Sequence, residues 1–273
     1  MSACGLTRAY IKVSGINVFC EYLLNGKPPI LLIHGFVSST YTFRRIIPLL
    51  QQQFSIIAVD LPGFGKSEKS TSFVYTLENY ALLMLECVKQ FGCPSINIAA
   101  HSMGGQIALN MARIAPEKIN RLVLLCSSGY ISRAKRSLIY SSYLPLFEHF
   151  VRYYVGRKDV REQLRNVFFN QELIDDELVT EFGRPLAEKE FYKALIRLLR
   201  HREGDLVPQK LKDIDIPTLL VWGKEDRVVP IGVGHRLVKD LPNAKLKIYD
   251  QTGHLITEER PEEIYGDILS HTI

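Results

Sequence analysis

Residues 96–105 read Ile96-Asn97-Ile98-Ala99-Ala100-His101-Ser102-Met103-Gly104-Gly105. The stretch 96–100 has the composition of a short buried strand. A helical pattern over 107–115 follows, and Pro116 ends it. A strand that turns sharply into a helix at a serine is the setting in which the hydroxyl is lifted off the edge of a sheet. Such a turn tolerates only small residues two positions either side of the serine, and Ala100 and Gly104 meet that demand. The helix start adds backbone N–H groups and the positive end of a dipole beside the hydroxyl. Read alone, the string is a bare connecting turn; its surroundings decide between that and a nucleophile.

Outward from this stretch, apolar β-rich segments alternate with helical ones. Strands are expected at 10–13, 18–24, 30–33, 54–59, 96–100, 122–126, 218–222 and 246–249. Leu77, Tyr80, Ala81, Met84, Val88 and Phe91 share one helical face, which Gly92 and Pro94 terminate. A last helix starts at Pro261. The alternation predicts an α/β fold: a mostly parallel eight-stranded sheet with helices on both faces. It breaks over 129–205, where only helical patterns occur. One runs through Phe191, Ala194, Leu195, Leu198 and Leu199, and a looser one through Leu173, Ile174, Leu178, Val179 and Phe182. The expected organisation is a core over 1–128, a helical cap over 129–205 between strands six and seven, and the rest of the core over 206–273. Such an insertion lies over the sheet edge where open α/β sheets bind ligands.

A serine hydroxyl needs a general base, usually histidine, oriented by a carboxylate. His254 follows the last strand in Gln251-Thr252-Gly253-His254, in a loop that reaches the same sheet edge as Ser102. The loop after strand seven, Gly223-Lys224-Glu225-Asp226-Arg227, offers two neighbouring acids, Glu225 and Asp226. Strand six runs into Ser127-Ser128-Gly129, which carries no acid. Acyl transfer also needs two fixed donors for the oxyanion, and the expected pair is the backbone N–H groups of Phe36 and Met103. His34 braces its loop, His101 is structural, and Asp60-Leu61-Pro62-Gly63-Phe64-Gly65 is a tight structural loop. Gly65-Lys66-Ser67 is not a phosphate-binding loop, because Asp60 stands where the first glycine belongs. No metal-ligand spacing and no dinucleotide fingerprint appear, so neither a metal nor a cofactor is expected.

Leu32-Ile33-His34-Gly35-Phe36, the run from Val59 to Ser67, Ala99 to Gly105, Trp222 to Asp226 and Thr252-Gly253-His254 together resemble a known family. The sequence is similar to the capped α/β-hydrolases of the serine carboxylesterase kind found in Bacillus-type bacteria, over nearly the whole chain. The resemblance implies Ser102 as nucleophile, Asp226 as acid, His254 as base, a helical cap and no cofactor. Ala100 departs from the commoner glycine, as in some Bacillus lipases with Ala-His-Ser-Met-Gly. Haloalkane dehalogenases and epoxide hydrolases share the fold but place Asp at the nucleophile, where this chain has Ser102.

The expected reaction is hydrolysis of a small-molecule carboxylic ester with a short to medium acyl chain, with Phe36, Met103, Val228 and Leu255 as apolar lining. Thioester or acyl-carrier ester hydrolysis, carbon–carbon bond hydrolysis and a slow-turnover sensor of small molecules are the alternatives. The carrier idea comes from residues 127–165, where eight Lys and Arg face three acids. Elsewhere the +5 net charge is scattered, with no basic–aromatic run for nucleic acid. No apolar run reaches the ~18 residues of a membrane-spanning helix, so no membrane insertion is expected. Five cysteines (Cys4, Cys20, Cys87, Cys93 and Cys126) form no C-x-x-C pair, and residues 1–8 lack an apolar leader core. Both point to the cytoplasm; oligomeric state is left open.

Overall fold

The computed structural model describes residues 5–273; Cys4 lies outside them. Eight strands make one sheet: β1 (Thr7–Val13), β2 (Ile16–Leu23), β3 (Pro29–Ile33), β4 (Ser55–Val59), β5 (Ile96–His101), β6 (Ile119–Leu125), β7 (Thr218–Gly223) and β8 (Ala244–Tyr249). Their order across the sheet is β1-β2-β4-β3-β5-β6-β7-β8. The β1–β2 and β2–β4 pairs are antiparallel, and every later pair is parallel. β3, β4 and β5 are buried almost throughout, as their apolar composition requires of strands covered on both faces. The edge strand β8 holds only half-buried and exposed residues.

The helices of eight or more residues are α1 (Leu77–Gln90), α2 (Met103–Ile114), α3 (Phe147–Gly156), α4 (Val160–Val167), α5 (Asp176–Gly183), α6 (Lys189–His201), α7 (Gly232–Asp240) and α8 (Pro261–Thr272). Two boundaries differ from the sequence expectation for identifiable reasons. β6 begins three residues before Leu122, because Asn120 and Arg121 at the strand's entry hide its apolar pattern. α2 begins at Met103, not near Ile107, because Gly104 and Gly105 read as turn residues yet lie in the first helical turn. Their smallness serves packing: a Cβ on Gly104 would come within 2.4 Å of the Ile33 carbonyl oxygen and 2.6 Å of that of His34. The end of β3 and the start of α2 therefore touch backbone to backbone.

Between β6 and β7 the chain is helical, with α3 to α6 and short helical turns at Arg136–Ser141 and Pro208–Leu211. α6 buries Phe191, Tyr192, Ala194, Ile196 and Leu198, a wider face than one apolar stripe, and most of these residues join the main core. A smaller apolar cluster joins Leu164, Phe168, Ile174 and Leu178 of this segment to Leu255 of the core. At the base, Ser132 bridges Gly204 and the Asp205 N–H donates to the Ile131 carbonyl at 2.8 Å. The buried Gln106 of α2 serves both ends of the segment. Its Nε2 donates to the Ser128 carbonyl at 2.8 Å, and its Oε1 accepts from the Leu206 N–H at 2.9 Å. Glu203 accepts from the first two N–H groups of α1, fastening the segment's exit to that helix.

Cys20, Cys87, Cys93 and Cys126 are free thiols. Among the described residues no helix is long and apolar enough to cross a membrane. Gly104→Ala is expected to lower stability by about 2 kcal/mol or more, since the added methyl meets backbone that must shift. A urea melt checks it, with the midpoint falling and the slope unchanged.

Candidate active site

Ser102 stands between β5 and α2 with φ 54° and ψ −121°, outside the regions that residues with a Cβ favour. Three backbone hydrogen bonds hold it: its N–H donates to Leu125 O at 3.0 Å, and its carbonyl accepts from Gly105 N–H at 2.9 Å and Ser128 N–H at 3.0 Å. The elbow is thus clamped to the end of β6 as well as to its own helix. Gly35 faces it closely, because a Cβ there would lie 2.8 Å from Ser102 Cβ.

His254 and Asp226 come to this serine from the loops after β8 and β7. His254 Nε2 is 3.0 Å from Ser102 Oγ, and His254 Nδ1 is 2.7 Å from Asp226 Oδ2. Asp226 Oδ1 accepts from Val228 N–H and Val229 N–H, each at 2.8 Å. Three hydrogen bonds thus occupy both carboxylate oxygens and fix the plane of the group. The neighbouring acid, Glu225, turns to the Thr252 N–H at 3.0 Å instead. Spacing left these two acids open; geometry separates them.

The His254 loop is held from three sides. Glu259 accepts from Gly253 N–H at 2.8 Å, and its other oxygen accepts from Phe169 N–H at 3.1 Å and Asn170 N–H at 2.9 Å. His254 N–H donates to Val167 O, at the end of α4, at 2.8 Å. The third contact escaped the sequence reading. His101 Nε2–H donates to the His254 carbonyl at 2.9 Å, and the two rings lie 4.7 Å apart. Burial, reinforced by His254 nearby, pushes His101 down to about 3, so its ring is neutral. Only the fold brings residues 153 positions apart together, so no local signal marks this role.

Phe36 and Met103 flank Ser102 at the ends of the two elements that Gly35 and Gly104 bring together. Neither N–H meets an acceptor among the described residues. His34 fixes the first of them. Its Nδ1–H donates to Gly35 O at 2.7 Å, and its Nε2 accepts from Leu61 N–H at 2.9 Å. Asp60 in the same loop accepts from Thr40 N–H and Lys66 N–H, both at 2.7 Å. Of the residues expected as lining, Phe36 and Val228 are exposed, whereas Met103 and Leu255 are buried. Leu255 packs in the cluster under α4 and α5.

Cys126 is a second neighbour that the sequence did not signal. It sits at the end of β6 with φ 45°, and its sulfur lies within 4.8 Å of the donor atoms of Asp226 and His254. Those two atoms are already bonded to each other, and burial pushes the Cys126 thiol well up, so the trio is a poor fit for a metal ion. A charged cavity of about 750 Å³ lies elsewhere, lined by residues such as Arg44, Asp175, Glu177 and Glu258, and does not include Ser102.

The α/β hydrolase fold family model matches residues 28–166 and 195–261. The chain belongs to that family. This α/β-hydrolase is 44% identical over 253 residues to the uncharacterized hydrolase YugF of Bacillus subtilis, covering 92% of the chain and 93% of the relative. It is 28% identical over 274 residues to the 2-hydroxy-6-oxo-6-(2'-aminophenyl)hexa-2,4-dienoic acid hydrolase of Metapseudomonas resinovorans, covering 96% and 91% of the two chains. Among solved structures it resembles a membrane phospholipase A, a bacterial virulence factor, with TM-score 0.82, 26% identity and coverage of 98% and 86%. Family and relatives alike make this α/β-hydrolase an enzyme of the hydrolase class.

Burial pushes His34 down to about 4 from an ordinary value of 6.5. Between these values the unfolded chain takes up a proton that the folded chain refuses. The stability due to neutral His34 is therefore present above the ordinary value and is lost as pH falls towards about 4. His34→Gln keeps a donor and an acceptor but no titration, so its unfolding free energy should fall less steeply with acidification than that of the parent. Urea melts across this pH range measure the difference in slope.

Proposed function

We propose that this α/β-hydrolase is a serine esterase that cleaves small carboxylic esters of short to medium acyl chain through an acyl-enzyme on Ser102. The observation that carries the reading is the unbroken line from Ser102 Oγ through His254 to Asp226, at 3.0 and 2.7 Å. His254 Nε2 takes the Ser102 proton as Oγ attacks the ester carbonyl carbon. The free N–H groups of Phe36 and Met103 receive the developing oxyanion. The bond to the alcohol oxygen then breaks, and the alcohol leaves with the proton from His254. Water, activated by the same ring, releases the acid and restores Ser102. Asp226 stabilises the imidazolium in each half-reaction and does not itself accept the proton. The helices between β6 and β7 act as a cap, with α4 buttressing the base loop. The phospholipase named among the similar structures supports ester chemistry on this scaffold.

The relative from Metapseudomonas favours a second reading, carbon–carbon bond hydrolysis of a 2-hydroxy-6-oxo dienoic acid by the same three residues. Steady-state assays on p-nitrophenyl esters and on such a dienoic acid separate the two, since each reading expects fast turnover of one substrate class.

Ser102→Ala should lower turnover by at least ~10³-fold. Asp226→Asn should lower it by up to about 10⁴-fold by disturbing the tautomer of His254. Glu225→Gln should keep most of the activity. Turnover in Ser102→Ala near that of the parent overturns the nucleophile.

A further inference from the structure

The first part of the helical segment exposes more apolar surface than its packing explains. Val151 and Val155 turn one side of α3 to the core. The other side carries large aromatics among polar residues: Phe150, Tyr153 and Tyr154 are exposed beside His149 and Arg152, with the Phe150 and Tyr154 rings 4.4 Å apart. Aromatic rings clustered on the outer side of a helix call for a second neighbour. Just before it, Tyr140, Tyr143, Leu144 and Leu146 are all more than 60% exposed. Leu146 is 73% exposed and holds φ 69°, a left-handed conformation that is uncommon for a bulky residue. It stands at the tip of the Leu144-Pro145-Leu146 turn that leads into α3.

Cations flank these residues along the chain. Arg133, Lys135, Arg136, Arg152, Arg157 and Lys158 are all exposed, and none forms an ion pair among the described residues. Between residues 133 and 158 the acidic side chains amount to Glu148. Arg157 lies over the Tyr153 ring at 4.7 Å, so cation and aromatic share one patch.

We propose that this face of the helical segment docks on an anionic lipid surface, with Leu144, Leu146, Phe150 and Tyr154 entering the headgroup layer and the unpaired cations meeting lipid phosphates. Tyrosines at the rim, aliphatic residues at the tip and free Lys and Arg alongside are the side chains that the water–lipid boundary accommodates. Six unpaired cations call for a partner rich in negative charge. The apolar residues among them stand proud on a turn and a helix, and a fluid headgroup layer yields to such a shape. An acidic protein partner would supply the charge but would need a matching cavity for each projecting side chain. The docking reading is independent of which bond Ser102 attacks.

Co-sedimentation of the full chain with vesicles tests it. The vesicles are phosphatidylcholine alone, or phosphatidylcholine with about a third phosphatidylglycerol, at low salt and at about 0.5 M salt. Binding is expected on the anionic vesicles only and should weaken with salt. A variant with Leu144→Ser, Leu146→Ser and Phe150→Ser, and another with Lys135→Glu, Arg136→Glu and Arg152→Glu, should each bind at least about tenfold less. Both should keep the parent's melting temperature within a few degrees, as changes to exposed residues do. Absent binding, or equal binding to both vesicles, overturns the proposal. So does a concentration-dependent dimer that the serine variant dissolves, which assigns the face to a second copy. Capture of a purified acidic acyl-carrier protein without vesicle binding likewise overturns it.

Discussion

A serine at φ 54° lies in a strained region of backbone space, at a cost of order 1–3 kcal/mol, and it persists only where its surroundings insist on it. Here Leu125 O receives its N–H, while Gly105 and Ser128 both donate to its carbonyl. The elbow is therefore set by the pairing of β5 with β6, deep in the sheet, rather than by local preference. From that fixed point the rest follows. α2 starts where Ser102 releases it, β3 ends against the glycines at its start, and Phe36 and Met103 come to flank one hydroxyl.

The His254 loop depends on a different part of the chain. Val167 takes the His254 N–H, and Glu259 gathers the N–H groups of Gly253, Phe169 and Asn170. The imidazole is thus supported partly by the helical segment and partly, through His101, by the strand that carries the serine. A shift of α4 relative to the sheet would move the ring relative to Ser102. The helical segment is in this way one of the supports of the His254 loop.

Much of this architecture was written locally in the sequence. Strands such as β3 and β5 are continuous apolar runs because both their faces are covered, and that signal survives without context. The start of β6 was hidden, because a strand emerging from the sheet can carry Asn120 and Arg121 at no cost. The start of α2 was hidden because Gly104 and Gly105 are there for close approach, and glycine reads as a turn whatever it is for. Ser102, His254 and the pair Glu225–Asp226 were visible through motif and order. Spacing alone left the two acids equal and the resemblance pointed to Asp226; that a backbone N–H of Thr252 takes Glu225 is something spacing does not encode. His101 and Cys126 come close to His254 and Asp226 only through the fold, so neither contact has a local signature.

Gln106 touches both the residue where the chain leaves the sheet region and the residue where it returns, Ser128 and Leu206. Where it leaves and rejoins the core, the long helical excursion passes a doorway that this one side chain spans. The hydrogen bonds that build β6 and β7 lie inside that doorway and are indifferent to what hangs beyond it. A segment of another length and shape that returns to the same amide would leave the strand pairing unchanged, while altering the face turned to the outside. Strand pairing can thus persist while the outer part of the segment varies, whereas Val167, Phe169 and Asn170, which hold the His254 loop, cannot change freely.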